Sequence, residues 1–307
     1  MKTEINEIPE RADLCYNENK GLILPENVPY IGMGSSYVST KVFRYLGINL
    51  FPEVAADYYN YLLKYRDTDY GVLISQSGKS SETLWCADHF NSFLAIVNDE
   101  DSPLRKHEKC SSCFCLHSGK EDLIPSKTYI NTLILLYLGF GFDPKKAIDV
   151  VRKEMSFFEQ RGIEMGELIY KTIRWRRKKG IYIVGSGPNI ATANHAALIL
   201  SEVTKLPFNS MSLSQYDHGH KETAKNTLLI AINHEGPDFN RTKRVLQTVN
   251  DAGGKTFEFT RSMVESIFSP ITFSIPFFFA AHYLADKLNV QSPFDVGDKI
   301  TTVPKSD

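Results

Sequence analysis

Twice in this chain a short β-rich run ends on Gly-x-Gly and passes into a segment with helical spacing, first as "VPYIGMGSSYVSTKVFRYLG" and again as "GIYIVGSGPNIATANHAALILSE". This internal echo constrains the fold more than any single motif, because each copy is one strand–turn–helix unit that needs neighbours to bury its apolar face. A second β-rich run follows in each half, "YGVLISQSG" and "NTLLIAINHEG", and lays Ile74-Ser75-Gln76-Ser77-Gly78 over Ile232-Asn233-His234-Glu235-Gly236. Further runs at "FLAIVNDED", "SCFCLHS" and "GKTFEFT" are separated by helical stretches such as "TYINTLILLYLGF" and "FNRTKRVLQTVNDAG". Strands alternating with helices predict parallel sheets covered on both faces, an α/β fold. The join between the halves is expected in the charged, largely helical segment that opens near Pro144, with a boundary near residue 160 separating 1–160 from 161–307.

At 307 residues and 42% hydrophobic content the chain can fill a sizeable core. Lys+Arg 35 against Asp+Glu 36 leaves a net charge of −1, without the basic field that nucleic-acid backbones reward, so nucleic acid is not an expected ligand. The "RWRRKKG" run reads as a solvated helix end, where positive charge suits the dipole. The first residues, "MKTEINEIPERADLCYNENKG", carry acids and no apolar centre, so neither a signal nor a transit peptide is expected and the location predicted is cytoplasmic. The apolar "IFSPITFSIPFFFAAHYLADKL" is interrupted by Pro270 and Pro276 and reads as a buried strand or loop followed by a core helix, not a membrane span.

Five cysteines fit reduced thiols better than a disulfide framework. His107, Cys110, Cys113, Cys115 and His117 are dense enough to raise zinc as an alternative. Their alternation instead predicts Cys113, Cys115 and His117 on one strand face, where thiols pack as small apolar groups. No metal site is assigned.

The stretch "VLISQSGKSSET" runs from an apolar strand into a cluster of hydroxyls around one glycine. Ser75, Gln76, Ser77 and Ser80 offer donors at the start of a helix, where unpaired N–H groups and the helix dipole also favour an anion. Gly78 lets the backbone come close, and Thr83 falls in the first helical turn. Gly34, Ser35 and Ser36 form a second hydroxyl turn that can face the same crevice of a parallel sheet. A single serine after a strand is ordinarily a helix cap; the density here favours a phosphate cup. The spacing is neither that of a nucleotide P-loop nor a full dinucleotide fingerprint, so a small phosphorylated metabolite is expected. Where the first copy has Ser77 and Ser80 the second has Glu235 and Asp238, whose carboxylates repel phosphate, so only the first should bind an anion.

These residues resemble the sugar isomerase (SIS) domain family, in the double-domain form shared by the isomerase half of glucosamine-6-phosphate synthase and by archaeal phosphoglucose/phosphomannose isomerases. "SQSGKSSET" is similar to its Ser-Gln-Ser-Gly-x-Thr phosphate loop, "VNDEDSPL" to its Asn-x-x-x-Ser-x-Leu segment, and "IPSKTYINTLILL", with Ser126, to its Ser-Thr-Lys helix start. The resemblance spans nearly the whole chain and implies two tandem SIS domains, each a flavodoxin-like three-layer αβα sandwich around a mainly parallel sheet. It also implies a sugar phosphate as ligand, no metal or organic cofactor, and a homodimer with shared active sites.

Within "HAALILSEVTKLPFNSMSLSQYDHGHKE" the resemblance implies Glu202 as catalytic base and His218, sixteen residues on, as the ring-opening group, entering the adjacent subunit's site. In the tail "QSPFDVGDKITTV" it implies Lys299 as the residue that returns to the sugar. Glu202 follows an apolar run, a setting that favours half-burial and a useful proton shuttle. Histidine is the residue type whose unperturbed titration lies near neutral pH, which suits the ring-opening role, although His220 lies beside His218. His195, on the same helix as Glu202, is either a substrate contact or a packed core histidine.

The chain departs from the synthase at Ile199, where that enzyme has lysine, and at His195, where it has glutamate. No stretch resembles the glutaminase domain, so amino transfer from glutamine is not expected. The function expected is aldose–ketose isomerisation of a hexose 6-phosphate or amino-hexose 6-phosphate through an enediolate. A glucosamine-6-phosphate deaminase or fructosamine-6-phosphate deglycase is the first alternative, and a non-catalytic phosphosugar sensor the second.

Overall fold

The computed structural model describes residues 1–65, 68–174, 180–261, 263–292 and 294–296. Nine strands are seen among them: β1 Pro29–Gly32, β2 Phe51–Val54, β3 Tyr70–Ile74, β4 Ser92–Val97, β5 Cys110–Cys115, β6 Gly180–Gly185, β7 Phe208–Ser212, β8 Thr227–Ile232 and β9 Lys255–Phe259. The α-helices are α1 Lys2–Asn6, α2 Ile8–Glu18, α3 Ser35–Arg44, α4 Ala55–Asp57, α5 Ser81–His89, α6 Pro103–Lys106, α7 Lys127–Gly139, α8 Lys145–Arg174, α9 Asn189–Thr204, α10 Leu213–His218, α11 Phe239–Asp251 and α12 Ser269–Leu288.

The strands form two sheets, one ordered β2-β1-β3-β4-β5 and the other β7-β6-β8-β9. Every pairing is parallel. Parallel pairs need crossovers, and the helices between strands supply them. In both sheets the first strand of the copy sits between the second and third, so each has a switch point where successive connections leave in opposite directions. The echo read in the sequence is therefore an echo of topology. At both Gly-x-Gly turns the first glycine is required by close approach. A Cβ on Gly32 would lie 2.9 Å from Ser36 Cβ and 3.0 Å from Ile74 O, and one on Gly185 would lie 2.3 Å from Asn189 O. Each helix begins so close to its own strand that only glycine fits.

The chain gathers into two compact units. One comprises Glu10–Glu121 and Lys127–Asp143 and carries the five-stranded sheet; β3 and β4 are buried almost throughout, and Ile31, Leu73, Phe90, Phe93 and Val97 belong to one apolar cluster. The other includes Met1–Pro9, Asp122–Ser126 and the chain from Pro144 through α12, and carries the four-stranded sheet. Residue 160 lies inside α8, a 30-residue helix that packs along α12 within this second unit. The change of unit falls before that helix instead, at Asp143–Pro144.

The segment expected to contain a strand or loop is helical from Ser269 to Leu288. Pro270 sits in the first turn, where no N–H is needed, and Pro276 lies inside the helix. An interior proline costs about 3 kcal/mol. Burying Phe273, Ile275, Phe277, Phe278 and Phe279, each 1% exposed or less, at roughly 1.5–3 kcal/mol apiece outweighs that cost. Ser266–Leu288 is long and apolar enough to cross a membrane, and 83% of its most apolar window is buried inside the protein.

The cysteine-rich strand ends at Cys115, and His117 lies beyond it with φ +53°, so His117 does not share a strand face with Cys113 and Cys115. Among the described residues no three His, Cys, Asp or Glu side chains gather as a metal site. Partial burial pushes the Cys113 and Cys115 thiols up, which keeps them protonated.

Candidate functional site

Ser75 follows β3 directly and is 3% exposed. Its N–H donates to Ile96 O at 3.0 Å, which continues the β3–β4 ladder by one bond and fixes where the loop begins. The loop then closes on itself: Gly78 N–H donates to Ser75 O at 3.0 Å, and Lys79 N–H donates to Ser77 Oγ at 3.2 Å. Gly78 has φ +60°, and a Cβ there would fall 2.2 Å from Ser102 Oγ, so both conformation and space demand glycine. Ser80 is the N-cap of α5 but makes no capping bond; its hydroxyl accepts from Ser75 Oγ at 3.3 Å. The helix-cap account of Ser80 thus gives way to a hydroxyl pair across the mouth of the loop.

Ser75, Gln76, Ser77 and Ser80 are brought together by this one turn at the N-terminus of α5. Two more hydroxyls lie close by in the fold: Thr83 Oγ1, in the first turn of α5, and Ser102 Oγ, beneath Gly78. Both residues are buried to 1% exposure or less, and neither oxygen has a hydrogen-bond partner among the described residues. Lys79 pairs with Asp99 at 3.2 Å. The N–H of Asp101 and this lysine together hold the Asp99 carboxyl below the usual carboxylate range.

The Gly34-Ser35-Ser36 turn leaves β1, the strand adjacent to β3, with Gly32 in register with Ile74. Gly34, φ +51°, is the N-cap of α3, and Ser35 and Ser36 open its first turn. The two turns therefore leave the carboxyl ends of neighbouring strands at the switch point of the five-stranded sheet, where open α/β sheets bind ligands. Ser126 is fully buried immediately before α7.

At the second switch point the chemistry differs. Asn233, in the place of Ser75, commits its amide to Glu258 Oε1 at 2.7 Å and Phe239 O at 3.3 Å. Both ring nitrogens of His234 face carbonyl oxygens, of Glu235 at 2.7 Å and Val264 at 3.1 Å. Glu235 is exposed on a hollow of about 560 Å³ that Lys146 and Glu265 also line. No hydroxyl cluster occupies this loop.

Glu202 is half-buried in the last turn of α9. His218 ends α10 and is exposed on a hollow of about 980 Å³ shared with His220, Lys221, Asp217 and Arg241. Arg241 and Lys221 bond Asp217 at 2.8 and 3.0 Å, and the arginine is the main cause holding its carboxyl low. Glu202 does not line that hollow. Lys299 lies outside the described residues.

His195 is 1% exposed, set edge-on against Phe278 with ring centroids 5.8 Å apart, and burial pushes it down to about 3. Of its two readings, the structure gives the packed core histidine rather than the substrate contact. Ile199 is likewise fully buried.

No protein-family model matches the chain. It is 24% identical over 252 residues to the isomerizing glutamine–fructose-6-phosphate aminotransferase of Sulfurisphaera tokodaii, covering 77% of this chain and 41% of that protein. It superposes on the C-terminal domain of glucosamine-fructose-6-phosphate aminotransferase from Francisella tularensis with a TM-score of 0.71 at 19% identity, over 92% and 94% of the two chains. The chain is similar to the sugar isomerase domain proteins. A glucosamine-6-phosphate deaminase from Thermotoga maritima shares the same fold, with a TM-score of 0.74 at 18% identity over 94% and 96%. The likeness in fold thus runs along nearly all of the chain, whereas this chain spans less than half of the Sulfurisphaera protein.

Sequence reasoning matched Asn98 and Ser102 as part of a motif but gave neither a place beside the loop. Both stood in the quoted "VNDEDSPL" segment, but their approach to Gly78 and Gln76 depends on the β3–β4 register, which spacing alone does not carry.

Proposed function

We propose that this chain is a phosphosugar isomerase built of two tandem SIS domains, interconverting the aldose and ketose forms of a hexose 6-phosphate or amino-hexose 6-phosphate. The observation that carries the proposal is the hydroxyl cup at the sheet switch point: Ser75 and Ser80 face each other at 3.3 Å above an α5 terminus that no side chain caps. A phosphate there would accept from the hydroxyls of Ser75, Ser77 and Ser80, the Gln76 amide and the first N–H groups of α5. Ser35 and Ser36 would meet the sugar hydroxyls, and Ser126 is kept as a further candidate contact.

Glu202 would carry the proton between C1 and C2. Its half-burial suits that task, because a fully solvated carboxylate is a weak base and a fully buried one cannot reach substrate. His218, exposed at the end of α10, would open the ring by giving a proton to the ring oxygen. Lys299 would offset charge on the enediolate oxygen. The proposed assembly is a cytoplasmic homodimer in which His218 serves the neighbouring subunit's site.

A deaminase reading is favoured by one observation, the fold shared with a glucosamine-6-phosphate deaminase at a TM-score of 0.74. Buried Ile199 in place of the synthase lysine weighs against amino transfer from glutamine. The deciding experiment is thermal stabilisation of the purified chain across hexose, hexosamine and fructosamine phosphates, with NMR and ammonia detection on each hit. Isomerisation that stops in Glu202→Gln with ligand affinity retained supports the isomerase. Ammonia release would move the assignment to the deaminase, and stabilisation without any product would make the chain a sensor.

A further inference from the structure

We propose that Asn98 is a positioning residue for the anion cup, an inference that rests on the phosphosugar reading above. Asn98 is the first residue after β4, and its N–H donates to Gln76 O at 2.9 Å, pinning the middle of the cup. Its side chain makes three more bonds, all to the segment after β5. Asn98 Oδ1 accepts from Ser118 N at 2.7 Å and from Ser118 Oγ at 2.7 Å, while Asn98 Nδ2 donates to Gly119 O at 3.0 Å.

The chain of bonds continues inward. Ser118 is fully buried and, having given its proton to Asn98, accepts from Thr128 Oγ1 at 3.0 Å. Thr128 N–H donates to Glu121 Oε2 at 3.0 Å, and Lys127 N–H donates to the other oxygen of the same carboxylate. One continuous set of hydrogen bonds therefore runs from the cup at Gln76 to the first turn of α7.

The segment needs such a hold. His117 and Gly119, on either side of Ser118, have φ of +53° and +70°, and a non-glycine residue in the left-handed region persists only where its surroundings impose it. Two donors and one carbonyl converge on Asn98, and an amide is the side chain that presents an acceptor and a donor on one plane. Aspartate keeps the acceptor but turns a second lone-pair oxygen on Gly119 O; its protonated form restores the donor. Relaxing Asn98 lets Gln76 and its neighbours drift, and donors that miss the anion by a fraction of an ångström lose much of their value.

The test is calorimetric titration of the full chain with inorganic phosphate from about pH 4 to pH 8, on the wild type, Asn98→Ala, Asn98→Asp and Leu133→Ala. Leu133, fully buried in α7, supplies a general loss of stability away from the cup. We expect Asn98→Ala to bind at least ~10-fold more weakly and Leu133→Ala to bind as the wild type does, at matched folded fractions. Asn98→Asp should be weakened at pH 8, and its affinity relative to wild type should recover as the carboxyl gains its proton towards pH 4. Wild-type affinity in Asn98→Ala, or equal weakening in Leu133→Ala, overturns the proposal while leaving the cup intact. If Asn98→Ala fails to fold, a pH-independent ratio for Asn98→Asp overturns it instead. A wild-type chain that binds neither phosphate nor any phosphosugar removes the cup and this proposal together.

Discussion

At Ser77 the cup offers a hydroxyl that accepts the Lys79 N–H at 3.2 Å and retains its own proton for a ligand. Ser77→Asp would set a carboxylate where the phosphate is proposed to lie, and two anions sharing one turn repel strongly. We expect this variant to lose stabilisation by phosphosugars entirely while its own melting temperature moves by only a few degrees, since Ser77 is not part of the packed core. A ligand-induced thermal shift equal to that of the wild type would refute the cup. His195 supplies a prediction of a different kind. The unfolded chain takes up a proton on this ring near pH 6.5, whereas burial holds the folded ring neutral down to about 3. The unfolded state therefore binds more protons in that window, and stability falls as pH drops from 6.5 towards 3, by at most about 1.4 kcal/mol per pH unit from this group. Urea unfolding across that range should show a shallower decline in His195→Leu than in the wild type.

Among the elements, the contact of α8 with α12 depends on two glycines, and their neighbours rank what substitution does. A Cβ on Gly162 would meet Pro276 O and Phe279 Cβ, both at 2.5 Å, and a backbone carbonyl inside a packed helix cannot turn away. A Cβ on Gly166 would meet Tyr283 Cδ1 at 2.8 Å, part of a ring that can rotate. Alanine normally gains up to about 1 kcal/mol over glycine in a helix. At 162 the overpacking penalty, about 1–3 kcal/mol, should exceed that gain, so Gly162→Ala is expected to lower the urea midpoint. Gly166→Ala should lie near neutral, and the reverse ranking would contradict the packing described. The same elements mark what the sequence could and could not reveal. Gly32 and Gly185 were legible because close approach of strand and helix leaves glycine no substitute. The edge strands β2 and β7, "FPEV" and "FNSMS", were not, since neither carries an apolar run or the alternation that made the other two edge strands, β5 and β9, legible. Helix α12 was misread at its prolines because burial, which spacing does not reveal, outweighs the local penalty.

For the whole molecule, the proposed phosphate cup is one contiguous stretch closed by a single turn, whereas the proposed reacting groups, Glu202 and His218, were placed in the sequence by resemblance alone. Glu202 and His218 stand on different elements, and Glu202 does not border the hollow in which His218 is exposed. A homodimer in which His218 crosses to its neighbour would resolve this, because a two-fold axis makes the exchange reciprocal, so that a histidine reaching the other subunit's glutamate does so in both sites. The idea has a quantitative consequence. In Glu202→Gln alone, and in His218→Ala alone, every site lacks one reacting group and turnover should be lost. In a heterodimer of the two variants, one site would receive both defects and the other neither. Equal mixing with free exchange makes about half of the dimers mixed, each with one intact site of two, so about a quarter of wild-type turnover should return. Were both residues contributed by the same subunit, every site in every dimer would keep one defect and mixing would restore nothing. Phosphosugar turnover measured after co-refolding the two variants reads that difference directly.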